Sequence, residues 1–379
     1  MFPLSLLGRG LTTRPSLLRQ CLRCNVTSPV ISKINETFAH SARVNVCGRF
    51  AQHNVLFRPW FLRYIPKGGY PIDINYIDTK PEANNDDESI KTIVILHGTP
   101  GSYYDYFKML VTFGDMYRII IPNFPDFSQT LKTGCFWHSA EEKSEFVVDF
   151  LKHLNVSKVD CLISHSMAAY TTSYLWIYAN WDTYFKLGSI CLLSPVGMYK
   201  LSRRERLRLG LIANMCRSSA LRQLIGRQVM SSSKLLNKRM SKKSSILSNF
   251  DVAAWKALTL NLSNYENYHL RLKVLADSQI PTLFTFSSND QQYTPNVFYD
   301  QLYELEASAN DFDIYEQYDN ELIQSSTNQN WLKVVDFRSA GQYLFNTHPD
   351  VIHSYIAELI DRSRMTPKPK LIEQQEATG

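Results

Sequence analysis

The chain has 379 residues, is 44% hydrophobic and 20% charged, and carries a net charge of +6 at pH 7. That composition excludes a wholly disordered chain, and the length suits one large domain with an insertion, or two domains. No apolar run reaches the roughly 18 residues a membrane-spanning helix needs, and seven cysteines without disulfide-type spacing fit a reducing compartment.

The first 34 residues contain no acid, while Arg9, Arg14, Arg19, Arg23 and Lys33 are spread among Leu and Ser. This is the composition of a mitochondrial presequence. Residues 1–45 are therefore expected to be a leader and the protein mitochondrial, with a cytoplasmic or secreted location as the alternative. Cys21 and Cys24 form a C-x-x-C within that leader, but without a second pair they make no metal site. No metal or cofactor is expected.

Residues 60–64 and 71–77 alternate like the arms of an antiparallel pair. A polar stretch over 81–89 reads as an exposed loop. Residues 92–96, Thr-Ile-Val-Ile-Leu, form a continuous apolar run of the kind buried on both faces of a parallel sheet. From there helix and strand alternate: a helix over 103–110, a strand over 118–121, and a helix over 141–154 with Val147, Phe150, Leu151 and Leu154 on one face. A strand over 159–163, a helix over 168–181 and a strand over 189–193 follow, with Cys161 and Cys191 as buried thiols inside the two strands. The alternation predicts βαβ units, a mostly parallel twisted sheet and helices on both of its faces. Residues 198–279 then lack any strand signal and read as helical. The sheet resumes at 281–286, with a helix over 295–305, the last strand over 334–337 and the last helix over 350–360. The core is thus expected over 55–197 and 281–363, a helical cap insertion over 198–280, and a disordered tail over 364–379.

At 163–168 the buried strand runs directly into a helix, Ile163-Ser164-His165-Ser166-Met167-Ala168. A serine at such a junction fits a nucleophile elbow, which needs small residues two positions before and after because the backbone is crowded. Ser164 and Ala168 are small, although the usual residues there are glycines. A serine after a strand is common, so position must add weight. It does: His97-Gly98-Thr99-Pro100-Gly101 follows an earlier buried strand, where a loop can supply one N–H to an oxyanion hole. His97 itself reads as a structural, hydrogen-bonded histidine.

With both motifs in place the sequence resembles the serine-nucleophile branch of the α/β-hydrolase superfamily, and within it is similar to a nematode-centred set with an L-H-G-T-P-G-S loop. The resemblance spans roughly 60–360, interrupted by the insertion. It implies an α/β-hydrolase fold, Ser166 as nucleophile, and the backbones of Thr99 and Met167 as oxyanion donors. Asp290, in Phe286-Ser287-Ser288-Asn289-Asp290, matches the acid; a cap for the following helix is the plainer reading of that residue. Pro122-Asn123-Phe124-Pro125 matches a family turn, with Asp126 where glycine is usual. The departure is at the base. The loop Ala340-Gly341-Gln342-Tyr343 places Gln342 where the family has histidine. An amide cannot take a proton from serine, and loss of a triad base costs a factor of about a million in turnover. His348 is the alternative base if the loop is remodelled; His138 and His353 are weaker candidates, and His165 is expected to point below the elbow. Epoxide-hydrolase and dehalogenase chemistry is disfavoured, because those relatives use aspartate where this chain has Ser166.

Residues 198–243 hold thirteen Lys and Arg against one acid, Glu205, or +12 against +6 for the whole chain. With Leu207, Leu209, Leu211 and Ile212 among the arginines, residues 200–243 suit an anionic membrane surface or an acyl-phosphate-like ligand, or form a solvated cap surface. Nucleic acid is not expected, since no recognition motif is present. Three readings follow: an inactive relative that binds a lipid or small acyl ligand, an active hydrolase of esters, thioesters or lipids with a displaced base, and a membrane-surface adaptor working through the basic cap.

Overall fold

The computed structural model describes residues 28–48, 68–83, 89–99, 101–125, 138–181, 185–197, 267–290, 293–316, 320–328, 330–338 and 340–363, and singly Arg204, Leu207 and Leu211. The proposed strand over 60–64, the proposed turn residue Asp126, most of the basic insertion and the tail lie outside these residues.

Helix α1 (Ser28–Phe38) leads into strand β1 (Ala39–Val46), which pairs antiparallel with β2 (Tyr70–Asp78) over eight residue pairs. Strand β2 therefore finds its antiparallel partner upstream of the expected one. Residues 28–45 fall within the expected leader, whose first 34 residues contain no acid. Yet Val44 and Val46 of β1 are buried in the core, which a strand of alternating character achieves with one face. The fold begins before residue 45, not at 55.

Next come β3 (Thr92–Leu96), a 3-10 turn over Tyr103–Tyr106, α2 (Phe107–Phe113) and β4 (Arg118–Pro122). Helix α3 (Ala140–His153) is capped by Ser139, whose Oγ accepts from the Glu142 N–H at 3.0 Å. The strand expected over 159–163 is interrupted at Asp160. Strand β5 (Lys158–Val159) pairs with β7 (Lys186–Leu187) in a small sheet of its own, whereas β6 (Cys161–His165) joins the main sheet. At the break, the Asp160 carboxylate accepts the Thr92 N–H at 2.8 Å while its own N–H donates to the Thr92 carbonyl, so a side chain completes the β3–β6 ladder. Helix α4 (Ala168–Trp181) buries Ala169, Tyr170, Leu175 and Trp176 in the core. Then follow β8 (Ile190–Leu193), α5 (Tyr268–Ser278), β9 (Thr282–Ser287), α6 (Asn296–Glu304), β10 (Phe312–Tyr315), β11 (Leu322–Gln324), β12 (Leu332–Phe337), α7 (Leu344–Thr347) and α8 (Pro349–Arg362). Strands β10 and β11 had no sequence signal strong enough to read; they are four and three residues long.

The main sheet has ten strands in the order β1-β2-β4-β3-β6-β8-β9-β12-β10-β11. The inner strands β4, β3, β6, β8, β9, β12 and β10 run parallel, and β1, β2 and β11 join antiparallel. Alternate residues of each inner strand feed opposite cores. Val94, Leu96, Ile120 and Leu162 face Phe146 of α3, Leu175 of α4, Leu272 of α5 and Phe298 of α6. Ile93, Ile95, Ile119 and Ile163 face Ile34 of α1, Leu110 of α2 and Ile356 of α8. Cys161 and Cys191 are buried free thiols in the second core. A parallel sheet covered on both faces leaves the loops at its strand ends as the place for chemistry.

Candidate active site

Ser166 stands between β6 and α4 with φ of +55°, in the left-handed region that a non-glycine residue adopts only when its surroundings impose it. Here the surroundings do so through hydrogen bonds. The Ser166 N–H donates to the Leu193 carbonyl at 3.0 Å, and the Ser166 carbonyl accepts from Ala169 and Val196 at 3.2 Å each. Ser164 and Ala168 are both buried, and their small side chains let this turn close.

The loop after β3 closes on the same turn. A side-chain carbon at Gly98 would lie 3.2 Å from Ser166 Cβ and 3.0 Å from His165 Nδ1, so only glycine lets the loop approach this far. His97 holds the loop from behind: its Nδ1–H donates to the Gly98 carbonyl at 2.8 Å and its Nε2 accepts the Phe124 N–H at 3.0 Å. Burial pushes its pKa down to about 3, so it is neutral and structural. Thr99 and Met167, the expected oxyanion residues, are both buried here. The Thr99 hydroxyl accepts from Lys143 Nζ of α3 at 3.4 Å. Lys143 is buried with its ammonium 5.3 Å from the centre of the Phe124 ring, and burial pulls its pKa down to about 7. No sequence pattern singled out this lysine; it lies one turn ahead of the apolar face that marked the helix.

On the other side of Ser166, the loop after β12 turns at Gly341, with φ of +67°, and brings Gln342 to the serine. Gln342 Nε2 donates to Ser166 Oγ at 2.7 Å, across 176 residues of sequence. The loop is fixed through its backbone: the Ala340 N–H donates to Ser287 Oγ at 3.0 Å, and the Gln342 carbonyl accepts from His165 Nε2 at 3.0 Å. His165 is thus no bystander below the elbow. It ties the elbow to the base loop, wedged against Tyr343 and Phe345, and burial lowers its pKa to about 4. Because Nε2 carries the donated proton, Nδ1 is the bare nitrogen.

The other histidines are engaged elsewhere. His348, the alternative base, donates from Nδ1–H to Asn320 Oδ1 (2.5 Å) and stacks on the Phe337 ring at 4.6 Å, so the structure turns it to the far loop and gives the serine to Gln342. His353 bonds Thr112 at 2.9 Å and packs on Phe113. His138 is buried just ahead of α3.

Asp290 follows β9, where its Oδ1 accepts the Tyr293 N–H at 3.2 Å in a local turn. A second carboxylate, Asp336 of β12, is buried opposite Phe286 of β9 and accepts the Ser288 N–H at 2.9 Å. Burial raises its pKa to about 6. An acid inside an otherwise apolar strand was its only signal in the sequence. Of the basic insertion, Arg204, Leu207 and Leu211 are described, helical and exposed. Among the described residues no cluster of His, Cys and acids is arranged to hold a metal, and no helix is long and apolar enough to cross a membrane.

Residues 70–361 match the model of a family described as "Alpha/beta hydrolase of unknown function (DUF1057)". An uncharacterized hydrolase, YugF of Bacillus subtilis, is 31% identical over 77 residues, which cover 20% of this chain and only 28% of that protein. A thermophilic esterase from Thermogutta terrifontis superimposes with a TM-score of 0.55 at 13% identity, covering 86% of this chain and all of the other. Haloalkane dehalogenase DbeA from Bradyrhizobium elkani gives 0.53 at 12% identity, covering 85% and 98%. At such identities these two likenesses speak for the fold alone.

Proposed function

This chain belongs to that α/β-hydrolase family, and we propose that within it the protein is a serine-hydrolase relative that binds an acyl or lipid ligand at the Ser166 pocket without turning it over. The observation that carries this reading is the 2.7 Å contact between Gln342 Nε2 and Ser166 Oγ. In a working triad an imidazole nitrogen at that place accepts the serine's proton as the oxygen attacks. A primary amide has no basic atom, so the attacking oxygen would have to keep its proton or lose it to water. The binding half of the apparatus is retained: the strained elbow, the glycine-lined approach of the oxyanion loop, and buried Thr99 and Met167.

Labelling by a fluorophosphonate probe reads the nucleophilicity of Ser166 directly. Wild type should label at or near the rate of Ser166→Ala. Gln342→His, which puts a base on a loop already held by backbone bonds, should label faster by a factor of about a thousand or more, part of the roughly millionfold worth of a triad base. Wild-type labelling as fast as that of Gln342→His, and lost in Ser166→Ala, would instead make the protein an active hydrolase.

A further inference from the structure

Two buried hydroxyls, one on the elbow and one on the loop that closes on it, each accept a hydrogen bond from a side-chain nitrogen. Ser166 Oγ accepts from Gln342 Nε2 at 2.7 Å, and Thr99 Oγ1 accepts from Lys143 Nζ at 3.4 Å. A hydroxyl whose lone pair is taken turns its own hydrogen elsewhere. With a histidine base the serine hydrogen would point back at the imidazole; with the amide donating, it is free to turn to another acceptor. The oxyanion loop and the elbow are in contact through Gly98 and Ser166, so the two hydroxyls belong to one site. Asp105, the carboxylate beside Gly101, directs Oδ2 to the Ser102 N–H at 3.0 Å.

Resting on the reading of an unreactive serine, we propose that the site recognises the free carboxylate of an organic acid in preference to the corresponding ester. Replacement of the base by Gln342 changes the site from one that removes a proton to one that offers protons. A carboxylate presents two oxygens to accept them and carries the charge that strengthens each bond. The two hydroxyls and the oxyanion N–H groups expected on Thr99 and Met167 supply donors, and Lys143 Nζ donates to the Thr99 hydroxyl. An ester offers one carbonyl oxygen in place of two charged ones and adds an alkoxy group that donates nothing.

Isothermal titration of the full chain with butanoate, octanoate and hexadecanoate, and with their methyl esters, tests this. One acid of the series should bind at least roughly tenfold more tightly than its ester, the worth of a hydrogen bond to a charged group. Gln342→Glu, which replaces the donor with a negative charge, should remove that binding. Lys143→Met should weaken it by roughly tenfold, with circular dichroism showing that both variants fold. If Lys143→Met fails to fold, Thr99→Val removes the second hydroxyl and carries the same expectation. Esters bound as tightly as acids, no binding by any acid, or acid binding indifferent to Gln342→Glu would overturn the proposal. Fluorophosphonate labelling reads the unreactive-serine premise separately, so an ester preference with an unlabelled serine refutes the carboxylate and leaves the premise standing.

Discussion

On the oxyanion side of Ser166, His97 locks a glycine loop against the elbow. On the base side, Gly341, Ser287 and His165 hold the loop after β12 just as firmly, yet the residue presented is an amide. The two sides differ in the side chain delivered, not in the machinery that delivers it. The anchoring bonds on the base side involve the backbone of Ala340 and Gln342, so they do not depend on what residue 342 carries. The loop can therefore keep its geometry whatever side chain stands at residue 342.

That contrast can be pressed. The largest expected structural effect is on the oxyanion side. Gly98→Ala sets a carbon 3.0 Å from His165 Nδ1 and 3.2 Å from Ser166 Cβ, and overpacking of this kind costs about 1–3 kcal/mol. Urea unfolding should show that loss, and in a Gln342→His background the fluorophosphonate label should fall with it. A smaller effect is expected from Gly341→Ala. The position is open to solvent-side space but its φ is +67°, so the cost is only that of a left-handed alanine, about 1 kcal/mol. If Gly341→Ala proved as damaging as Gly98→Ala, the base loop would be under constraints beyond its backbone turn.

The smallest effect concerns Asp336. Burial raises its pKa from 3.8 to about 6 in the folded chain. A carboxyl with a raised folded pKa contributes stability that is fully present below its unfolded value and lost as pH rises through the folded one. Asp336→Asn keeps an oxygen for the Ser288 N–H and removes the titration. Its melting temperature should exceed that of wild type at pH 8 by about 2–4 °C, with no gain at pH 4. A gain that persists at pH 4 would place the benefit in packing rather than charge.

Much of this arrangement could be read from residues alone. The inner strands announced themselves because both faces are buried and both must be apolar, as in Thr92–Leu96 and Ile190–Leu193. Gln342 could be placed because Ala340-Gly341-Gln342-Tyr343 resembles the family loop that carries its histidine. Strand β1 was hidden by the acid-poor composition around it, and β10 and β11 by their brevity. His165 and Lys143 escaped for a different reason. Each acts through a partner distant in sequence, Gln342 at 177 residues and Thr99 at 44, and periodicity carries no trace of such pairs.

The bond between Gln342 and Ser166 also sets a timetable. The serine turn is translated 176 residues ahead of the amide that contacts it. At typical synthesis rates the gap is roughly 10–35 s. Strands β9 and β12, which wall the sheet beyond β8, come in the same interval. A growing chain therefore holds the serine turn on an unfinished sheet, and the bond to Gln342 can form only once the last tenth of the protein is being made.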